Sequence, residues 1–374
     1  MKNLRIFFLA ILTTTTISSF SQYLHDNLKI MRNSAYSYEV PESAKEYDVS
    51  FTFKNLRLFP IVANQSFVAH HEKIGKLLLL DEAIRDKKIV ISETGAQTFS
   101  GSDQTQNLNQ NQRFQQGLSN TSDEDQSEIN QQRIVQSNIG GGVSGTVNTL
   151  IAKNTSADTI FIMAGEVVKG GKQDRVIAKD VIIAPNEQID LSAFCVEKNR
   201  WTTKEQNKGQ FTGYFNVSSM DIRKAVTEQK SQHEVWEKVD EHTTKNKASS
   251  GTKAYTNLEN SGEYQTELKA YMEKFKGAFS EHGNVVGFVA VTSDRVIGCD
   301  LFATHDLFVD AYDNLIHSYI GHAITKGGEL SISNEEVYAY LDKILKSEEN
   351  QEETIENNGT LYKWKNKKLH ITTY

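Results

Sequence analysis

The sequence predicts an α+β protein with a β-rich core and a helical C-terminal half. Two observations predict it: strand-like segments come first and amphipathic helical stripes come later. A parallel doubly wound sheet would instead interleave the two along the chain.

The elements follow in order. Tyr47 to Ile61 alternates apolar and polar residues, the signature of a half-buried strand. Leu77 to Arg85 predicts a short helix and Ile89-Val90-Ile91 a short strand. Ala96 to Ser137 is rich in Gln, Asn, Ser and Asp and poor in apolar residues. Ordering it would cost more entropy than its burial returns, so it reads as a mobile insertion. Strands resume at Val147–Ile151, Thr159–Met163, Arg175–Ile183, Gln188–Phe194 and Phe211–Val217. Ser219 then caps a helix running to about Asp240, with Asp221 in its first turn. Lys245 to Gly262 reads as a polar linker.

The helix Tyr264–Phe279 carries the stripe Tyr264, Leu268, Tyr271, Met272, Phe275, Phe279. Val285–Val291 and Arg295–Leu301 read as buried strands joined by Thr292-Ser293-Asp294. Helix His305–Thr325 presents Phe308, Tyr312, Leu315 and Tyr319 and stops at Gly327-Gly328. Ser333 to Glu336 spells a capping box before a last helix. An acidic spacer from Ser347 to Gly359 leads to a C-terminal hairpin. The domain reading is therefore a signal segment at 1–21, an α+β domain at 22–325 with its insertion (96–137) and linker (245–262), and an extension at 326–374.

The first residues read as an export signal. Lys2 and Arg5 precede the apolar run Ile6–Leu12, and Ser19-Phe20-Ser21 places small residues where signal peptidase reads them. The expected destination is the periplasm or the outside of the cell. The run is shorter than the roughly 20 apolar residues of a membrane span. The net charge is −7, and losing Lys2 and Arg5 takes it to −9. An acidic balance argues against unaided binding to nucleic acid or anionic membranes. The two cysteines, Cys195 and Cys299, leave open one disulfide or two separate buried thiols.

Several tempting motifs fail. Gly140, Gly142 and Gly145 spell a dinucleotide fingerprint, but no strand precedes them and no helix follows. Gly170-Gly171-Lys172 lacks the hydroxyl residue that would hold magnesium in a phosphate loop. No zinc pattern appears, and neither a metal nor a cofactor is indicated.

The chemistry concentrates between Phe161 and Trp201. Gln173 and Arg175, two apart on a strand, face one side and offer an amide and a forked cation suited to a carboxylate or phosphate oxygen. Lys172 and Asp174 face the other side. Glu166 ends the preceding strand and is placed to act as a general base or to pair with Arg175. Glu197 and Arg200 flank a strand end beside Trp201, whose ring can stack on a ligand or cap the core. The candidate catalytic residues are thus Glu166 and Glu197, and the candidate ligand residues are Lys172, Gln173, Arg175, Arg200 and Trp201. The same residues read equally as an ion-pair network, Glu166 with Arg175 and Glu197 with Arg200. Asp300 reads as a turn former at a strand end.

Gly165-Glu166, Gly170-Gly171-Lys172-Gln173-Asp174-Arg175, Cys195-Val196-Glu197 and Arg200-Trp201 resemble, in order, the signature of a family named for its association with ADP-ribosylglycohydrolases and rhodanese/phosphatase proteins. Leu80-Asp81-Glu82-Ala83, Glu234-Val235-Trp236 and Arg295 to Phe302 resemble its flanks, so the likeness spans about Tyr47 to Thr325. Asp174 stands where the family signature has Asn. The resemblance implies a link to ADP-ribose-like metabolites by association. The functional expectation is an exported protein that binds or processes a small anionic ligand of nucleotide-sugar type. The alternative is a non-enzymatic module that meets a protein partner, with a structural charged cluster.

Overall fold

The computed structural model describes residues 27–30, 51–93, 148–200, 209–345 and 351–374. The export signal, the 96–137 insertion and Trp201 lie outside the described residues. The architecture is α+β, with strands concentrated in the first half and helices in the second.

Six antiparallel strands close a barrel. Around it run Gln188–Cys195, Asn148–Asn154, Ile89–Glu93, Gln210–Val217, Glu166–Gly170 and Arg175–Ile177, the last pairing back to the first. Ile91, Leu150, Ala152, Val168, Ile177, Leu191 and Phe211 belong to one buried cluster. Val167, Val176 and Phe194, next to them in sequence, point the other way and pack with Ile222, Val235 and Val239 from the following helices. This is the period-2 alternation of strands apolar on both faces.

A seven-stranded antiparallel sheet forms the second layer, in the order Leu28–Ile30, Leu56–Ala63, Val285–Thr292, Arg295–Phe302, Lys367–Thr373, Gly359–Trp364, with Thr52–Phe53 pairing off Leu56–Ala63. Its central strand, Val285–Thr292, is buried throughout. One face packs on the helices His305–Lys326 and Gly262–Phe275 through Phe288, Phe302, Phe308, Tyr312, Tyr271 and Phe275. The other packs on Gln65–His71 and Asn334–Leu345 through Phe59, Val289, Leu301, Phe67, Val337 and Leu341. A small sheet, Leu78–Leu79, Ile160–Ile162 and Val181–Ile183, stands beside the barrel.

Four local expectations change. The strand expected over 47–61, of which residues from Phe51 on are described, is two strands, Thr52–Phe53 and Leu56–Ala63, paired across a turn at Lys54 (φ 49°). The single strand expected over 175–183 is two, Arg175–Ile177 and Val181–Ile183, in different sheets. The helix expected from Ser219 to Asp240 is broken. Met220–Lys224 passes into a π-helical turn at Ala225–Gln229, Lys230 turns left-handed (φ 51°), and Ser231 caps a new helix, Gln232–Lys245. The 245–262 segment contains the 3-10 helix Tyr255–Asn260, and Tyr255 and Leu258 are buried. Glu197 forms a bridge with Ala254, and Tyr255 N–H donates to the Val196 carbonyl, so this segment is fastened to the barrel. Cys195 and Cys299 are separate buried thiols.

Candidate functional site

Lys172, Gln173, Arg175, Glu197 and Arg200 come together at one end of the barrel. The turn that gathers them depends on Gly171, at φ 51°, where a Cβ would sit 2.6 Å from the Phe211 ring. Arg200 is the hub. Its guanidinium pairs with Glu197 at 2.6 Å and Asp174 at 3.1 Å, and donates to the carbonyls of Gly171 and Gly170. Asp174 also accepts from Gly170 N–H and the Thr256 hydroxyl, and Glu197 from Asp174 N–H. The Asp174, Glu197 and Arg200 side chains are only 7%, 5% and 11% exposed.

Arg175 is equally enclosed. It lies 3.7 Å from Glu93 and donates to the Gln173 carbonyl at 2.9 Å and the Gln173 side-chain oxygen at 3.4 Å. Its Nε is buried with no acceptor among the described residues. Gln173 donates to the Lys198 carbonyl. Gln173 and Arg175 therefore touch, although Gln173 lies in the bend before the strand Arg175–Ile177 and not on it. Lys172 is exposed while Asp174 is buried against Arg200, so those two do not share an environment.

Glu166 is not in this group. Its carboxylate accepts from Met163 N–H at 2.7 Å and the Tyr214 hydroxyl at 3.0 Å, while Arg175 takes Glu93. The expected Glu166–Arg175 pair is thus replaced, whereas the Glu197–Arg200 pair forms. Burial pushes the Glu166 carboxyl up to about 8, helped by the like charge of Asp81, so it holds its proton at neutral pH. Asp81 Oδ1 is buried and has no partner among the described residues.

A second polar chain, unforeseen from the sequence, starts next to Glu166. Ala164 N–H donates to Asp180, and Asp180 meets His370 Nδ1 at 2.6 Å. His370 Nε2 lies 3.0 Å from Asp300. Asp300 takes two 2.8 Å bonds from Arg223, one from the Thr372 hydroxyl and one from the Tyr319 hydroxyl. Charges alternate along it, which is how a dry interior tolerates four of them. Burial lowers the His370 imidazole, but the flanking carboxylates outweigh that and raise it to about 9. Burial likewise opposes ionisation of Asp300, yet Arg223 holds its carboxyl well below the usual range. Asp300 is therefore an interior strand residue in a buried ion pair and not a strand-end turn former.

The comparison with protein-family models decides the relationship. Residues 45–372 match the ARG and Rhodanese-Phosphatase-superfamily-associated Protein domain. The chain belongs to this family. The ARG and Rhodanese-Phosphatase-superfamily-associated Protein family is linked to the ADP-ribosylglycohydrolase and rhodanese-phosphatase superfamilies. No curated protein and no solved structure matches the chain. The family match ends within the C-terminal strand Lys367–Thr373, and so includes His370 and Thr372.

Among the described residues, no group of three or more His, Cys, Asp or Glu side chains is arranged to hold a metal ion, and no helix is long and apolar enough to cross a membrane. The residues that sequence reasoning missed are Arg223, Asp180 and His370. The available signal was local mismatch: an Asp inside the apolar run Val296–Phe302 and a His inside Leu369–Ile371 each demand a buried partner.

Proposed function

We propose that this family member is an exported interaction module whose barrel-end charged cluster is structural. One observation carries the reading. Within the cluster, three carboxylates (Glu93, Asp174, Glu197) answer two guanidiniums (Arg175, Arg200), and every one of these side chains is at most 14% exposed. A small anion entering there would have to displace the bonds that these enclosed side chains already make to one another. The cluster ties the 170–175 turn to the Glu197–Arg200 segment and, through Thr256, to the 3-10 helix. Recognition of a protein partner then falls to exposed faces or to the 96–137 insertion, and nucleic acid is not the partner.

The test is Arg175→Met and Arg200→Met in the mature chain, each melted with and without ADP-ribose. Both variants should lower the melting temperature and leave any ADP-ribose response unchanged. Loss of an ADP-ribose response in folded Arg175→Met would restore the cluster as a ligand site.

A second reading has its own observation. A carboxyl that keeps its proton up to about pH 8, beside Tyr214 and near the carboxylate of Asp81, suits a general acid in the hydrolysis of a nucleotide-sugar-type ligand. Under it, Glu166→Gln abolishes turnover of an ADP-ribose conjugate without unfolding the protein. Unchanged turnover excludes it.

A further inference from the structure

The tip of the C-terminal hairpin collects positive charge on an acidic chain. Lys363, Lys365, Lys367 and Lys368 fall within six residues. Lys365 and Asn366, at φ 49° and 57°, make the two-residue turn that brings them together. Lys363 and Lys368 stand opposite each other across the hairpin, and Glu352 answers both, at 2.5 and 3.7 Å. Lys365 and Lys367 form no salt bridge among the described residues. Lys365 lies over the Trp364 ring, 5.9 Å from its centroid. Lys367 Nζ sits 3.2 Å from His70 Nε2 and 3.4 Å from Nδ1, where the hairpin meets the helix Gln65–His71. Glu352 thus answers two of the four lysines and leaves Lys365 and Lys367 without a salt bridge among the described residues. An ammonium and an imidazole are held side by side, and burial first, then Lys367 and Lys368, lower the His70 pKa.

We propose that Lys367 and His70, with Lys365 at the hairpin tip, form a binding site for a phosphate-bearing anion. Lysine is a point-charge phosphate ligand that needs no fixed fork geometry. The His70 ring supplies a second donor from a different element. Lys367 and His70 are already held against each other, so these two lose little side-chain freedom on binding. The site lies on the seven-stranded sheet and shares no residue with the barrel-end cluster, so it stands or falls independently of the function proposed above.

The experiment is a titration of the full mature chain with inorganic pyrophosphate, following the His70 ring resonances by NMR. A saturable shift is expected, weakened at least tenfold by Lys367→Gln and unchanged by Lys247→Gln, whose lysine already pairs with Glu263. Lys365→Gln, at the exposed turn, serves as the second variant and should also weaken it. A melting curve for each variant separates lost binding from lost fold. A parallel arm measures sedimentation with phosphatidylglycerol vesicles against phosphatidylcholine vesicles. Binding to the anionic vesicles without a pyrophosphate shift overturns the small-anion site in favour of a lipid surface. The absence of any saturable shift, or one that survives Lys367→Gln, overturns the proposal.

Discussion

Arg223 and Asp300 face each other through two 2.8 Å hydrogen bonds, and both side chains are wholly buried. Arg223 sits on the short helix just after the barrel strand Gln210–Val217, and Asp300 on the seven-stranded sheet. The pair therefore fastens one layer of the fold to the other. Gly165, at φ 93°, makes room for it, since a Cβ there would lie 2.5 Å from Arg223 Cγ.

Breaking that pair on one side strands a charge in the interior. Arg223→Met should cost about 3–5 kcal/mol in urea unfolding, as single deletions from buried ion pairs do. The double variant Arg223→Met with Asp300→Leu should lose less than the sum of the two single changes, because no lone charge remains. Additive losses would show that the pair is energetically uncoupled.

His370 gives the fold a pH dependence with a defined sign. Its folded pKa of about 9 lies above the ordinary 6.5. Its stabilisation is therefore complete below about pH 6.5 and disappears as pH rises through about 9. Unfolding free energy measured across that window should fall with pH, and His370→Gln should flatten this portion of the curve.

Glu166 acts in the same direction over a lower window. Its folded pKa of about 8 exceeds the ordinary 4.5, so the folded state holds a proton that the unfolded state releases. Stability from this group is lost as pH rises from about 4.5 through 8. Glu166→Gln keeps an acceptor for Met163 N–H and removes the ionisation. The variant should be more stable than wild type above pH 8, and an unchanged slope between pH 5 and 8 would contradict the burial account.

Local signals were legible in the sequence, and distant pairings were not. The stripe Phe308, Tyr312, Leu315, Tyr319 marks the helix His305–Lys326, and Ser333 and Glu336 exchange the bonds of a capping box. The C-terminal hairpin was legible from its alternation, but its place beside Arg295–Phe302, which carries His370 to Asp300, was not. The barrel closes by pairing Gln210–Val217 with both Ile89–Glu93 and Glu166–Gly170, and no local period encodes that. The break at Lys230 was signalled by Ser231 and Glu234, a second capping pattern hidden inside an otherwise helical run. In the candidate site, proximity in sequence placed Glu197 with Arg200, whereas Gln173 meets Arg175 from the bend before the strand and not from a shared strand. The alternative of a Glu166–Arg175 pair fails, because the competing partner Tyr214 is 48 residues away.

The central claim is that the charged heads at the barrel end satisfy one another. A double-mutant cycle on Glu197→Gln and Arg200→Met, measured by urea unfolding with and without ADP-ribose, tests it most directly. The account predicts a coupling above about 1 kcal/mol, as close enclosed charge pairs show, and identical values in the two conditions. A coupling near zero, together with ADP-ribose stabilising the wild type but not Arg200→Met, would contradict it.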